Sequence, residues 1–393
     1  MKKRIAALCI VVALIMTGCR RKIPEKSGKS MYGVWVATTS CLDFPSKAGL
    51  NEREIIGEIS RILSVCAECG LNAVFLQVRA NADALYNASV LGASAALYGT
   101  RTPEKELSID VLDTFSAMAH EKGIRLYAWV NPYRIGSGDA DEILAALPPR
   151  HPAKSGSAAI LRYDGGVCFD PGAPTTIETI LAGLREIVEQ HEVDGVVFDD
   201  YFYPYDGVYD DSATYRTYGS DFKTIGDFRR YSVNRMIAAC SDYLKSKKIP
   251  FGVSPFGIWR NRDNDALGSD TDGLSAYDEI YADSRCWVKQ GWLDFIAPQI
   301  YWSFENRKAA FDMVYDWWAA LCEKYHCDLA VSHYISRIGS GLEGWDDAGQ
   351  IARQLTYLND DDRCVGSIFF RIGDLLRNEH GERQCLKKYR FKS

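Results

Sequence analysis

The stretch VDGVVFDDYFYP, residues 193–204, decides the fold, because a short apolar strand runs directly into two carboxylates and three aromatic rings. Its continuous apolar run predicts a strand that is covered on both faces, as in parallel sheets. In a closed parallel barrel, the polar residues at the C-terminal ends of the strands converge on one mouth, where such folds place their active sites. Asp199 and Asp200 are therefore predicted to lie at a site of this kind.

The order of apolar strand, polar loop and amphipathic helix repeats along the chain. The eight predicted strands are 33–38, 72–79, 125–131, 194–200, 250–255, 293–300, 328–333 and 365–371. Helices are predicted near 51–69, 108–122, 174–191, 222–247, 277–290, 307–325, 346–358 and 381–389. Strands that alternate with helices form parallel βαβ units, so eight units predict a single (β/α)8 TIM barrel of the α/β class.

Two long βα loops interrupt this spacing, at 80–107 after strand two and 132–172 after strand three. Because both follow strand ends, they are expected to wall the mouth of the barrel. An open, doubly wound sheet is the structural alternative. That fold usually carries a glycine-rich phosphate loop after the first strand, and this sequence has none there.

The first residues are typical of an export signal. Lys2, Lys3 and Arg4 precede an apolar run over 5–16, which is too short to span a bilayer and fits a signal peptide. The run ends in MTGC, residues 16–19, which resembles a bacterial lipobox. Residues 1–18 are therefore expected to be the signal, Cys19 to be lipidated, and 19–31 to be a flexible tether before the domain at 32–393. The alternative is an ordinary signal peptide with Cys19 unmodified. The prediction is an exported lipoprotein held at the cell envelope by its membrane anchor.

Composition and spacing exclude several classes of protein. A net charge of −6 offers no basic surface for nucleic acid. The six histidines are dispersed without a His-x-His or His-x-x-x-His pair, so neither a metal nor another cofactor is expected. No Gly-x-Ser-x-Gly motif occurs, so a serine nucleophile of that type is not predicted. Cys66 and Cys69 form a lone CxxC on a predicted helix and are expected to be buried structural residues. Disulfides among the remaining cysteines are permitted by export but not required.

Aromatic and hydrogen-bonding side chains gather at the predicted strand ends. Sugars combine apolar C–H faces with polar rims, so such a surface suits them. The rings are Trp129, Tyr133, Tyr201, Tyr203, Phe256, Trp259, Tyr301, Trp302 and Tyr334, and the polar partners are Gln77, Arg79, Asn131, Arg260, Asn261, Gln299, His333 and Arg371. Those predicted to bind substrate are Arg79, Asn131, Tyr203, Trp259, Arg260, Gln299, Tyr301 and Trp302. The pattern indicates a polysaccharide substrate.

Cleavage of a glycosidic bond requires a proton donor and a carboxylate that attacks the sugar or activates water. In a regular strand Asp199 and Asp200 point to opposite faces, so one is expected to act and the other to support it. Asp199 shares the alternation of Gly195 and Val197 and is expected to face the barrel interior as nucleophile or base, while Asp200 orients the site.

The proton donor is predicted to be Asp83 or Asp278, ahead of Glu305. An acid that follows a barrel strand is often a helix N-cap or the partner of an arginine, so these alternatives stay open for all three.

The motifs as a set resemble the bacterial glycosyl-hydrolase-like family ten over residues 32 to about 376. They are GVWVAT (33–38), LNAVFLQVR (71–79), DALY (83–86), AWVNPYR (128–134), HPAK (151–154), DGVVFDDYFYP (194–204), GVSPFGIWRN (252–261), IAPQIYW (296–302) and GSIFF (366–370). Two places depart from the family pattern. Ala80-Asn81-Ala82 replaces a Pro-Ala-Gly, and strand seven lacks the usual Gly-rich stretch, so His333 has no family counterpart.

The resemblance implies an exported (β/α)8 glycoside hydrolase, since many family members are lipoproteins. It also implies a peptidoglycan glycan substrate, because one member acts on glycan strands stripped of their stem peptides. The Asp-Gly-x-x-x-Asp pattern of 194–199 is similar to the fourth-strand motif of several retaining glycosidases, whose last Asp is the nucleophile. An inactive glycan-binding barrel that positions partner proteins at the envelope is the alternative function. A metal-dependent hydrolase is a third.

Overall fold

A computed structural model describes residues 30–205 and 208–389 of the chain. The predicted signal peptide and the lipidation site at Cys19 lie outside the described residues, as does nearly all of the predicted tether. Within the described part, each of the eight predicted strands is present. They are β1 Met31–Val36, β2 Ala73–Arg79, β3 Arg125–Val130, β4 Gly195–Phe198, β5 Phe251–Val253, β6 Phe295–Ile296, β7 Asp328–Tyr334 and β8 Cys364–Phe370.

These strands form a closed barrel in which every neighbouring pair is parallel. The strands follow one another around the barrel in chain order, and pairing of β1 with β8 closes it. Because the chain returns through a helical connection after each strand, all C-terminal strand ends meet at one mouth. The predicted (β/α)8 TIM barrel is confirmed.

Helices surround the barrel at the predicted places, and one further helix, Ile372–Arg377, was not predicted. They are α1 Glu52–Glu68, α2 Val111–Glu121, α3 Pro174–Gln190, α4 Ile225–Lys247, α5 Ser284–Lys289, α6 Phe311–Tyr325, α7 Gly349–Asn359, α8 Ile372–Arg377 and α9 Glu382–Lys388. Their local signals are clear in α1, where Asn51 and Glu54 form a reciprocal capping box and Ile55, Ile59 and Ile62 form the buried stripe. The helix predicted near 277–290 is in fact two, Ala276–Glu279 and α5.

The barrel interior is a packed core of its own. Its members are Met31, Trp35, Ala37, Ala73, Phe75, Tyr127, Trp129, Val197, Phe295, Ala297, Ala330 and Ile368. Glycines make room for the large rings. A Cβ on Gly195 would lie 2.6 Å from the Tyr127 ring, and one on Gly252 would lie 2.2 Å from Phe295. A larger core fills the space between the barrel and its helices.

The two long loops carry secondary structure that the sequence did not predict. In the loop after β2, Asp83–Ala84 pairs with Gly92–Ala93, and a short helix spans Ala95–Tyr98. In the loop after β3, the strands Arg134–Ser137, Ile160–Tyr163 and Gly166–Phe169 form an antiparallel sheet. Both loops therefore form ordered walls that follow the C-terminal ends of their strands.

The described residues bear on membrane insertion and on the state of the cysteines. No helix found there combines the length and the apolar character that crossing a bilayer needs. The ten cysteines of the described part are free thiols. Cys66 and Cys69 are buried, as predicted for structural residues.

Candidate active site

Asp199 is held in the mouth of the barrel by two side-chain donors. Its Oδ2 accepts hydrogen bonds from Trp129 Nε1 at 3.1 Å and from Asn131 Nδ2 at 2.5 Å. Trp129 belongs to the interior core with Val197, so Asp199 faces inward as the strand alternation predicted. Asn131 accepts in turn from Gln77 Nε2 at 2.7 Å, which fixes the orientation of its amide. Asp199 is only 4% exposed.

Asp200 lies on the same side of the barrel and has different donors. The Tyr205 hydroxyl donates to its Oδ2, and the Gln299 amide also bonds to it. Gln299 follows β6 at the mouth and donates as well to the carbonyl of Ser254 at 3.1 Å. The prediction that the two aspartates point to opposite faces is wrong, because β4 ends at Phe198 and the alternation of side chains ends with it.

Burial perturbs both carboxylates, and the charge of Asp200 also acts on Asp199. Burial, and secondarily the negative charge of Asp200, raise the pKa of Asp199 to about 7. Burial also raises the pKa of Asp200, while hydrogen bonds from Tyr205 and Gln299 oppose that rise. Two acids so close together resist double ionisation, and the pair holds a proton up to near neutral pH. Such a pair can donate a proton from one member while the other carries the charge.

A row of aromatic rings runs away from Asp200 on one side of the mouth, and we call it the Tyr201 wall. It consists of Tyr201, Tyr205, Phe256 and Trp302, whose successive ring centroids are 5.6, 6.2 and 5.6 Å apart. Tyr201 is 44% exposed, unlike most large apolar side chains of the fold. An exposed ring beside buried acids can stack on the apolar face of a sugar.

A second group of rings, the Tyr301 wall, lies at the C-terminal ends of β7 and β8 and beyond the end of β6. Tyr301 lies 4.7 Å from Tyr334 and 6.1 Å from Phe370, measured between ring centroids. The Tyr301 hydroxyl is 3.2 Å from Ser332 Oγ, which also accepts from Trp35 inside the barrel. Burial mainly, and the charges of Asp200 and Asp199 to a smaller extent, raise the pKa of Tyr301, so this wall adjoins the acid pair.

Asp83 and Asp278, predicted as alternatives for the proton donor, have other partners. The carboxylate of Asp83 accepts the backbone N–H groups of Asn81 at 3.1 Å and Ala95 at 3.3 Å, which ties the strand-two loop together. Asp278 forms an ion pair with Arg260 at 3.0 Å and accepts from Ser275 Oγ at 2.9 Å. Both acids behave as the cap and arginine partner that the sequence left open.

Glu305 is likewise committed to another partner, since Arg353 donates to it across an ion pair at 2.5 Å. The guanidinium of Arg260 donates to Asp278 and, at 3.1 Å, to Asp265. The structure therefore pairs Arg260 with an acid of its own loop rather than with the Asp199 and Asp200 pair.

Three residues predicted to bind substrate are buried away from the mouth. Arg79 is fully buried against α3, where a Cβ on Gly183 would lie 1.8 Å from its Nη1. A register shift between Gln77 and Arg79 in the pairing of β2 with β3 changes the side on which Arg79 leaves the strand. Tyr203 lies 5.6 Å from the Arg229 guanidinium inside a tyrosine cluster, and Trp259 stacks on Trp317.

The remaining predicted binding residues lie at the mouth. Gln299, Tyr301 and Trp302 are partly exposed beside the acid pair or in its aromatic walls. Asn131 is also at the mouth, but it is buried and its amide holds Asp199. His333 is not at the site, because Gln354 and Ser367 bond both ring nitrogens in the helical shell and burial lowers its pKa to about 4.

The sequence places Trp129 and Asn131 at the mouth but does not predict that both donate to Asp199. Trp129 and Asn131 are two residues apart on β3 and its end, so alternation alone could have placed both beside Asp199. Tyr205 follows an irregular segment after β4, and no periodicity marks it. Arg134 lies close enough to lower the pKa of Asp199 and of Asp200, yet it appeared in the sequence only as part of a family motif.

One group of possible metal ligands occurs in the described residues, formed by Asp110, Asp113 and His191. His191 Nδ1 lies 2.7 Å from Asp113, and Asp110 accepts the backbone N–H groups of Asn87 and Asp113. These contacts make it a helix cap with an ion pair, and none of its members contacts Asp199 or Asp200.

Residues 30–343 match the glycosyl hydrolase-like 10 family. The chain is 34% identical over 369 residues to the glycosyl hydrolase YngK of Bacillus subtilis strain 168, an alignment that covers 92% of this chain and 72% of that protein. It is 33% identical over 408 residues to the glycosyl hydrolase DigH of Escherichia coli K12, covering 93% of this chain and 92% of the relative.

Solved structures show the same fold at low identity. The glycoside hydrolase domain of PgaB (BpsB) from Bordetella bronchiseptica superimposes with a TM-score of 0.58 at 13% identity, covering 93% of this chain and 100% of that domain. The alpha-L-fucosidase isoenzyme 2 of Paenibacillus thiaminolyticus gives 0.54 at 10% identity, covering 91% of this chain and 48% of that one. At such low identity, these similarities show a shared barrel fold and nothing more.

Proposed function

The chain belongs to the glycosyl hydrolase-like 10 family and is a glycoside hydrolase, and on that premise we propose that it cleaves peptidoglycan glycan strands with Asp199 and Asp200 as its two carboxylates. The observation that carries the proposal is the buried acid pair between two aromatic walls at the barrel mouth, in which Asp200 helps to raise the pKa of Asp199. The family resemblance of the sequence motifs supports the choice of substrate.

Asp199 is the proton donor in this mechanism. Burial and the neighbouring Asp200 raise the pKa of Asp199 to about 7, so much of it keeps a proton near neutral pH. A catalytic acid works best when its pKa is close to the working pH. This assignment replaces the nucleophile or base role expected from the sequence, since a carboxyl that holds its proton attacks a sugar poorly.

Asp200 is the ionised partner. The Tyr205 hydroxyl and the Gln299 amide both donate to it, and donors of this kind favour the charged form of a carboxylate. As Asp199 protonates the leaving oxygen, positive charge develops on the sugar ring, and the anion of Asp200 stabilises it. Asp200 then attacks the anomeric carbon or activates water, and the anomeric configuration of the first product distinguishes the two courses.

The aromatic walls would seat neighbouring sugars of the chain. The Tyr201 wall offers an exposed ring next to the acids, and the Tyr301 wall lies against them from β6, β7 and β8. A glycan strand has apolar ring faces on successive residues, so two walls suit a polymer better than a single small sugar.

We further propose that the enzyme works at the cell envelope as a lipoprotein. Support comes from the basic start, the apolar run over 5–16 and the MTGC sequence that ends at Cys19. Export would bring the mouth of the barrel to the wall polymer, and the tether would let it reach glycan near the membrane.

The test is a substrate panel treated with wild type, Asp199→Asn and the matched control Asp278→Asn. Peptide-free glycan strands, intact peptidoglycan and an unrelated polysaccharide are incubated with each protein, and new reducing ends are counted. We expect wild type and the Asp278 variant to cleave peptide-free glycan and the Asp199 variant to lose about 1000-fold in rate. Cleavage of only the unrelated polysaccharide contradicts the proposed substrate, and full activity of Asp199→Asn contradicts the mechanism.

A further inference from the structure

Arg134 stands beside the acid pair and is held there from two directions. It follows β3 in the small antiparallel sheet, where its backbone pairs with Cys168. Its Nε donates to the carbonyl of Ala80 at 2.8 Å, and its guanidinium carbon lies 4.9 Å from the centre of the exposed Tyr201 ring. The guanidinium is therefore positioned at the rim of the mouth before substrate arrives.

The charge of Arg134 is not neutralised by a direct partner within the described residues. It acts on Asp199 and Asp200 through space, yet neither carboxylate comes within 4.0 Å, and no other described acid forms an ion pair with it. By contrast, Arg260 and Arg371 are each bound to an aspartate. Only Nε of Arg134 is used by a hydrogen bond, so the far edge of the guanidinium can still bind two oxygens of an anion.

We propose that Arg134 binds a carboxylate carried by the sugar at the cleavage site and so selects acidic glycans. The inference rests on the proposed function, because in peptidoglycan that carboxylate is the lactyl group of the muramic acid residue. A stem peptide converts this group into a neutral amide. Arg134 would therefore be the residue through which the enzyme recognises the peptide-free strands already proposed as its substrate, since only those present the free anion.

The Tyr201 ring contributes by fixing the plane of the guanidinium. A cation stacked on an aromatic face keeps its edge directed outward, and the Ala80 carbonyl prevents it from collapsing onto the acids. Collapse would neutralise Arg134 and fix Asp199 in its charged form, which would remove the proton donor. The same contacts thus keep the acid pair and the anion site distinct.

The experiment compares two forms of one substrate. Peptide-free glycan is used as prepared or after its lactyl carboxylates are converted to methylamides, and kcat/KM is measured for wild type, Arg134→Gln and Arg134→Lys. The control is Arg337→Gln, because Arg337 also stacks on a mouth tyrosine, 5.1 Å from the Tyr334 ring centre. Circular dichroism and thermal unfolding check that each variant folds.

We expect wild type to cleave the acidic glycan about 10- to 100-fold better than the amidated one, the range for a charge-assisted hydrogen bond. Arg134→Gln should lose that preference by slowing only on the acidic glycan, Arg134→Lys should keep part of it, and the Arg337 control should keep all of it.

Equal cleavage of both glycans by wild type overturns the inference and leaves the proposed function standing, and this arm requires no variant. Equal losses on both glycans in Arg134→Gln also overturn it, since they would assign Arg134 to support of the acids. If wild type cleaves neither glycan, the proposed function fails and the inference fails with it.

Discussion

Replacing Asp199 by asparagine should stabilise the fold as it removes activity, and the gain should depend on pH. Burial and Asp200 raise the pKa of Asp199 from 3.8 to about 7 in the folded protein. Below about pH 4 the carboxyl is protonated in both folded and unfolded chains, so the variant gains nothing. Between about pH 4 and 7 the unfolded chain ionises first, and wild type loses about 1.4 kcal/mol of stability for each pH unit.

Three pH units give an upper figure of about 4 kcal/mol for the stability that wild type has lost above pH 7. An asparagine does not ionise and so avoids this loss of stability, and its oxygen can still accept from Trp129 and Asn131. Its amide hydrogens then meet the Tyr201 N–H, which lies 3.4 Å from the other oxygen in wild type. That unpaired donor costs about 1 to 3 kcal/mol, so the net gain is about 1 to 3 kcal/mol at about pH 8.

Urea denaturation of wild type and Asp199→Asn at about pH 4, 6 and 8 measures this difference. The reasoning requires the stability of the variant relative to wild type to rise with pH and then to level off above about 7. A difference that stays constant over this range would show that Asp199 is ionised at all these pH values and would refute the assignment of the acid.

Four further predictions concern the site and the anchor. Trp129→Phe removes a donor to ionised Asp199, so it should move the alkaline limb of the pH–rate profile to higher pH. Tyr205→Phe raises the pKa of Asp200, so it should move the acidic limb to higher pH and lower kcat about 10-fold or more. Unchanged limbs would contradict these hydrogen bonds. Asp83→Asn should lower the free energy of unfolding by about 1 to 2 kcal/mol with kcat kept, because it weakens contacts within the strand-two loop and removes no hydrogen bond to Asp199 or Asp200. A loss of kcat in the folded variant would return Asp83 to the mechanism. Cys19→Ser should release the protein from the membrane fraction when cells are fractionated, and retention there would argue against a lipid anchor.

The barrel could be predicted from the sequence because strand and helix patterns alternate eight times and the strands contain apolar runs that suit burial on both faces. The inward direction of Val197 followed from the same pattern, since Gly195 makes room for the Tyr127 ring. Alternation is a property of a regular strand, so it succeeded wherever the strand continued.

The errors at the site arose where regular backbone ends. Asp200 lies two residues beyond the end of β4, and Arg79 follows a register shift, so parity along the strand no longer fixes their side-chain direction. Arg260 and Asp278 were each assigned to the site, but these opposite charges lie close in the chain and form an ion pair with each other. Tyr205 lies in a segment whose path depends on tertiary packing, and no local sequence signal marks its contact with Asp200.

The most direct test of the acid pair separates its two roles by the quality of the leaving group. Asp199→Asn and Asp200→Asn are assayed on unmodified glycan and on a dinitrophenyl glycoside of the disaccharide that repeats in this glycan. The dinitrophenyl leaving group needs no proton. We predict that Asp199→Asn loses about 100- to 10,000-fold on glycan yet cleaves the dinitrophenyl glycoside at close to the wild-type rate, whereas Asp200→Asn is inactive on both. Equal loss on both substrates in Asp199→Asn, or retained glycan cleavage by Asp200→Asn, would contradict the account.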